Sequence, residues 1–146
     1  MTSPATPRHP EDDASIADSD QLLRFVTHKP SHWTSEGKPS SAAFATKKGE
    51  RGLSFALLSI LEDEGLDDLA PLEGRPGYGL LSLDVVAVRA HGCGVVRDPT
   101  VSEPPRADDP AHSLVVFPSG LDKPRLKLVR DSLLHAAHVR RRPAST

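Results

Sequence analysis

The chain has 146 residues, of which 37% are apolar and only 4% aromatic, so it has room for one core and little for a second domain. A formal charge of −2 and a pI near 6.4 argue against a dedicated nucleic-acid binder, which would cluster Lys and Arg to neutralise phosphates. Cys93 is the single cysteine, which excludes an intramolecular disulfide and a Cys-based zinc site, and no apolar run approaches the roughly 20 residues of a bilayer span.

Residues 1–19 combine Pro4, Pro7 and Pro10 with Glu11, Asp12, Asp13 and Asp18. That composition predicts a disordered acidic tail without the apolar segment of a secretory signal, and the expected compartment is the cytoplasm. Asp20 stands where it can cap a short helix through Leu22, Leu23, Phe25 and Val26, which Pro30 would end. Trp33 lies in a polar stretch, His32–Ala45, that ends in Ser40, Ser41, Ala42, Ala43 and Phe44, read as a short strand or turn. After a solvated loop from Lys47 to Gly52, the run Leu53–Leu61 is too continuously apolar for periodicity alone to separate strand from helix. A strand entering a helix is expected there, stopped by Pro71.

Gly74, Pro76, Gly77 and Gly79 lead to a strand at Leu80–Leu83. Leu83, Val86, Ala87 and Ala90 then recur at helical spacing, with Ser82 or Asp84 as cap and Gly92 as stop. A strand at Gly94–Arg97 precedes a Pro-rich loop, and Ser113–Phe117 is a β-branched and aromatic strand bounded by Pro110 and Pro118. Asp122 caps a final amphipathic helix with Leu126, Val129, Leu133, Ala136 and Ala137 on one face. Arg140, Arg141 and Arg142 favour the negative end of that helix dipole, and Pro143 ends it.

These elements predict an α+β fold. It consists of a small mixed sheet of three or four strands, covered by the C-terminal amphipathic helix and the Leu83–Ala90 helix, with disordered tails. The domain bounds are 20–139, between the tail at 1–19 and a basic tail at 140–146.

Several short patterns run along the predicted domain: Leu22-Leu23-Arg24, Trp33, Ser41-Ala42-Ala43-Phe44, Leu53-Ser54, Asp98-Pro99 and Pro110-Ala111-His112. Together they resemble a type of short bacterial hypothetical protein. The resemblance covers most of the predicted domain; it implies a shared fold unit and carries no activity.

Among residues with chemical potential, His112 stands at the mouth of a strand close in sequence to Asp98, Asp108 and Asp109. A histidine beside carboxylates suits a general base, or a metal ligand together with them. The plainer reading is that Asp109 and Pro110 form a turn and His112 fixes the returning loop by hydrogen bonding. His28 and His32 have helical ligand spacing, but Pro30 removes the helix that this geometry requires. Asp131, His135 and His138 share the outer face of the last helix, where a solvated face with a weak ion pair is the ordinary expectation.

Cys93 reads as a small buried apolar residue. Ser40 and Ser41 lack a nucleophile elbow, and Gly74–Gly79 is neither a phosphate loop nor a dinucleotide fingerprint. Trp33 and the triplet Arg140, Arg141 and Arg142 are candidates for partner contact. No cofactor or metal is expected. The function expected from these features is a non-catalytic protein-interaction module whose partner is another protein. A small hydrolase or nuclease-like enzyme using His112 with Asp98, Asp108 or Asp109 is the alternative, and nucleic-acid binding through the basic C-terminal segment is a third.

Overall fold

The computed structural model describes residues 9–45, 52–98 and 109–144. Residues 1–8 of the expected tail, the loop from Lys47 and most of the Pro-rich loop that contains Asp108 lie outside them. Among these residues the architecture is a single six-stranded sheet. Its strands are β1 (Gln21–Val26), β2 (Leu53–Leu57), β3 (Gly79–Asp84), β4 (Gly94–Arg97), β5 (His112–Val116) and β6 (His138–Arg141). Three α-helices accompany them among the described residues: α1 (Leu58–Asp63), α2 (Val85–Ala90) and α3 (Lys123–Ala136). The strand order is β4-β5-β2-β1-β3-β6 and every pairing is antiparallel.

This corrects the expected mixed sheet of three or four strands under a C-terminal helix. Two strands were hidden in segments with a helical appearance. Gln21–Val26 carries apolar residues for both faces of the sheet, since Leu22 and Val26 join one core cluster and Leu23 the other. A strand buried on both sides loses its alternation, and its six residues match a helix pattern as well as a strand pattern. Asp20, expected to cap that helix, instead turns to α1. Its carboxylate accepts from the Ser59 amide at 3.2 Å and from the Ser59 hydroxyl.

The second hidden strand follows α3. Asp122 caps this helix as expected, accepting from the Arg125 amide at 3.0 Å. The helix nevertheless ends at Ala136, and Ala137 is already extended with φ −72° and ψ 145°. Beyond it, three consecutive arginines give a helix no apolar stripe to bury. As a strand, Val139 pairs with the fully buried Leu81 and reaches the core, while β6 satisfies the outer backbone edge of β3. Arg140 and Arg141 therefore belong to the sheet.

The elements at Leu53–Leu57, Gly79–Ala90, Gly94–Arg97 and His112–Val116 lie where the sequence places them, within one or two residues, whereas α1, expected to run on until Pro71 stops it, ends at Asp63, just before Gly65 with its φ of 75°. On one face of the sheet, Leu22, Phe55, Leu81, Val95 and Val115 form the main core with Val85 and Val88 of α2, Leu133 of α3 and Phe44 of a 3-10 turn at Ser41–Phe44. The opposite face carries a smaller cluster of Leu23, Leu61, Leu80 and Ala111.

Residues 9–19 pack against the body. Ile16 is only 6% exposed within the main core, and the Asp13 amide donates to the Val95 carbonyl at 2.9 Å along the outer edge of β4. One edge of the sheet is thus occupied by an N-terminal strap, while β6 forms the other. No helix among the described residues is long and apolar enough to cross a membrane.

Candidate functional site

The Asp98–His112 pair arises from the pairing of β4 with β5. Arg97 pairs with Ser113, so the chain leaves β4 at Asp98 directly opposite the first residue of β5. The Asp98 amide donates to the His112 carbonyl at 2.9 Å. In return, His112 Nδ1 lies 2.9 Å from the Asp98 carbonyl oxygen and 3.0 Å from its Oδ2. Two acceptors at one ring nitrogen require Nδ1 to carry hydrogen, which leaves Nε2 of the neutral ring as acceptor.

Asp109 takes part through its backbone, its carbonyl accepting from the His112 amide at 3.3 Å, and Asp108 lies outside the described residues. Of the expected constellation, the fold brings together Asp98 and His112. The ring lines a small cavity of about 40 Å³ together with Ser54 and Arg24, a space for a water or two.

Arg24 is the charged residue that sequence reasoning passed over. Strands β1 and β2 pair only at Leu22 with Leu57 and Leu23 with Ala56, whereas β1 and β3 pair along their whole length. Past Leu23 the two strands part, and the Arg24 guanidinium bridges them. Its Nη1 donates to the Ser54 carbonyl at 2.8 Å and its Nε to the Ala43 carbonyl at 3.0 Å. Its Cζ stands 5.7 Å from the Phe55 ring centre and 6.0 Å from that of Phe44. A planar guanidinium suits this position because it can donate in its own plane while presenting its face to aromatic rings. The available signal was a lone arginine inside the apolar run Leu22–Val26.

Trp33 lies against the backbone of Gly79 and donates from Nε1 to the Thr27 carbonyl at 2.7 Å, so its polar tip is used within the fold. Of the arginine triplet, Arg140 is held by Asp68 at 2.8 Å and by the Gln21 side chain. Arg141 and Arg142 are exposed. Beside β6 runs a groove of about 580 Å³, walled by Pro39, Leu134, Ala137 and Val139 and flanked by His135 and His138.

Asp131 is taken by Lys127 at 2.7 Å. His32 Nδ1 meets the Thr27 hydroxyl at 3.1 Å while His28 stacks edge-on to Tyr78, so these two rings serve different neighbours. No group of three or more metal-ligating side chains occurs among the described residues. Cys93 is 1% exposed, and burial pushes its thiol pKa up to about 12, which makes it a packing residue.

A second charged cluster that sequence reasoning missed joins the strap to α2. Arg89 binds Asp12 at 3.2 Å, Asp18 at 2.6 Å and the Asp13 carbonyl at 2.9 Å. The partners are more than 70 residues apart, a separation no local pattern reveals. Comparison with protein-family models, with curated proteins and with solved structures returned no match.

Proposed function

We propose that this chain is a protein-interaction module that accepts an extended acidic segment of a partner protein along β6, as a seventh strand of its sheet. The observation that carries this reading is the asymmetry of the two sheet edges. The strap occupies the β4 edge through backbone hydrogen bonding, whereas β6 is the terminal strand on the other side and is largely exposed. An edge strand presents a row of backbone donors and acceptors that a peptide strand can complete.

Side chains choose the partner. The exposed Arg141 and Arg142, beside an Arg140 paired with Asp68, make this edge basic, so antiparallel pairing of two β6 strands would set arginines against arginines. An acidic strand is favoured in their place. The adjoining apolar groove offers room for one side chain of such a segment. The test is titration of the full chain with an acidic β-forming peptide while following hydrogen exchange in β6. Protection of the β6 amides that point away from β3, lost in Arg141→Glu, supports strand addition. Binding without amide protection, or equal binding of a single-stranded DNA, would sink it, since simple charge attraction orders no backbone.

A second reading rests on the 3.0 Å contact between His112 Nδ1 and Asp98 Oδ2. A carboxylate that orients an imidazole is the positioning half of a general base, and Nε2 is the nitrogen left to take a proton. On this reading the chain is a hydrolase in which Asp98 positions His112. A hydrolytic activity abolished in His112→Ala while the chain still folds supports it; a lower melting temperature with no activity to lose assigns His112 to the architecture.

A further inference from the structure

The strap is joined to the body in a way that separates its binding from its connection. Asp12 has a fully buried side chain, and its Oδ1 accepts from the Val95 amide at 2.9 Å and pairs with Arg89 Nε at 3.2 Å. The Asp13 amide donates to the Val95 carbonyl, so two successive strap residues grip both backbone groups of one β4 residue. Upstream, His9 Nε2 meets the Phe117 carbonyl at 3.1 Å, and the imidazole packs on Gly94, where an added Cβ would stand 3.1 Å from it. Downstream, Ile16 enters the main core.

The contacts of His9, Asp12 and Asp13 are to α2, β4 and the residue after β5, and Ile16 joins the core shared by the whole sheet. The link back to β1 is residues 17–19, and Asp20 beyond it is fixed independently, its carbonyl accepting from the Val85 amide and its carboxylate from Ser59. The chain reverses there through a turn in which the Asp20 amide donates to the Ala17 carbonyl at 3.0 Å. Opening that turn redirects the strap while leaving the contacts of residues 9–16 to be remade in the same form between copies, and only the Asp18–Arg89 ion pair lies within the link itself.

From this arrangement we propose that the groove between α2 and β4 is a receptor for residues 9–16 of a second copy of this chain, so that two copies assemble by exchanging straps. The occupant follows from complementarity already present: the groove offers Arg89 and the backbone of Val95 to two aspartates, and an apolar opening to the isoleucine three residues on. Within one chain the short link gives the strap a high effective concentration, so the closed monomer prevails when dilute and exchange grows as the protein is concentrated.

The test uses two full-length variants. One carries Asp12→Ala with Ile16→Ser, which disables the strap and keeps the groove. The other carries Arg89→Glu, which repels its own strap and keeps that strap intact. Each alone is expected to sediment as a monomer; mixed in equal amounts they are expected to form a particle of twice the mass, in which the intact strap fills the intact groove. Monomers throughout the mixture, with both variants unfolding cooperatively, overturn the proposal. Should the Arg89→Glu chain fail to fold, a synthetic peptide of residues 9–19 replaces it, and protection of the Val95 amide in the strap-disabled chain gives the supporting result and unchanged exchange the opposing one. If the strap-disabled chain is itself unfolded, folding on addition of this peptide supports the proposal and persistent disorder counts against it.

Discussion

Trp33 covers Gly79 so closely that a methyl group on that glycine would stand 2.5 Å from the indole Cη2. The ring can lie there because β3 presents bare backbone at its first residue, and the Nε1 bond to Thr27 then holds it in place. Gly79→Ala is expected to displace the indole and cost ~1–3 kcal/mol, the usual range for overpacking. Thermal unfolding should show a melting temperature several degrees lower, with tryptophan emission shifted to the red. An unchanged spectrum in a stable variant would mean that the ring does not lie on the strand.

Arg24→Met keeps the aliphatic stem and removes the hydrogen bonds to Ala43 and Ser54. Two carbonyls lose a charged donor between separated strands, and a loss of roughly 1.5–3 kcal/mol is expected in denaturant titration. Arg24→Lys should recover only part of it, because a single ammonium lacks the planar fork that reaches both oxygens.

His112→Ala removes the ring that ties the start of β5 to Asp98, and a loss of ~0.5–1.5 kcal/mol is expected. Asp98→Asn should be milder, since the backbone carbonyl of residue 98 still accepts from Nδ1. Equal losses in the two variants would place the weight on the carboxylate alone.

The strap carries its own pH dependence. Hydrogen bonds from the Ser15 hydroxyl and amide hold the Asp13 carboxyl below its ordinary pKa of 3.8. A carboxyl depressed in the folded state binds fewer protons there than when unfolded, so its contribution is present above pH 3.8 and is lost as the pH falls below it. Proton exchange at the Ser15 amide, which donates to this carboxyl, should accelerate in that acid window relative to the β1–β3 ladder, and Asp13→Asn should weaken this pH dependence.

Cys93 reports on the integrity of the core. With its thiol raised to about 12 and its side chain buried, it should resist alkylation at pH 8 in the native state and react at the rate of unfolding. Rapid labelling of the native chain would contradict the burial of the β4 start.

The sequence was most readable where local rules and tertiary structure agree. The continuous run at Leu53–Leu61 divided into strand and helix as its flanks suggested, and Asp122, Gly92 and Pro118 mark real boundaries. It was least readable where a partner distant in sequence decides. Gln21–Val26 becomes a strand because β3 and β2 lie on either side of it, and His138–Arg141 because β3 offers an edge. The pairing of His112 with Asp98 was visible from proximity to strand ends, and among the described residues Asp98 brings its carboxylate to the ring while Asp109 takes part through its backbone. Arg24 and the Arg89 cluster carry no local signature, since hydrogen bonds to main-chain carbonyls and contacts to a strap leave no spacing in the chain.

The strand order has a kinetic consequence. The central ladders join Leu22 to Leu83 and Leu53 to Val115, separations of roughly 60 residues, and each such closure must be made before its contacts return any stabilisation. α1 and α2 have six residues each, far below the ~12–15 at which an isolated helix becomes marginal in water. Neither short helix can therefore persist apart from the sheet it packs on. Folding should proceed on the millisecond-to-second scale of non-local β topologies, and peptides spanning α1 or α2 alone should be random coils.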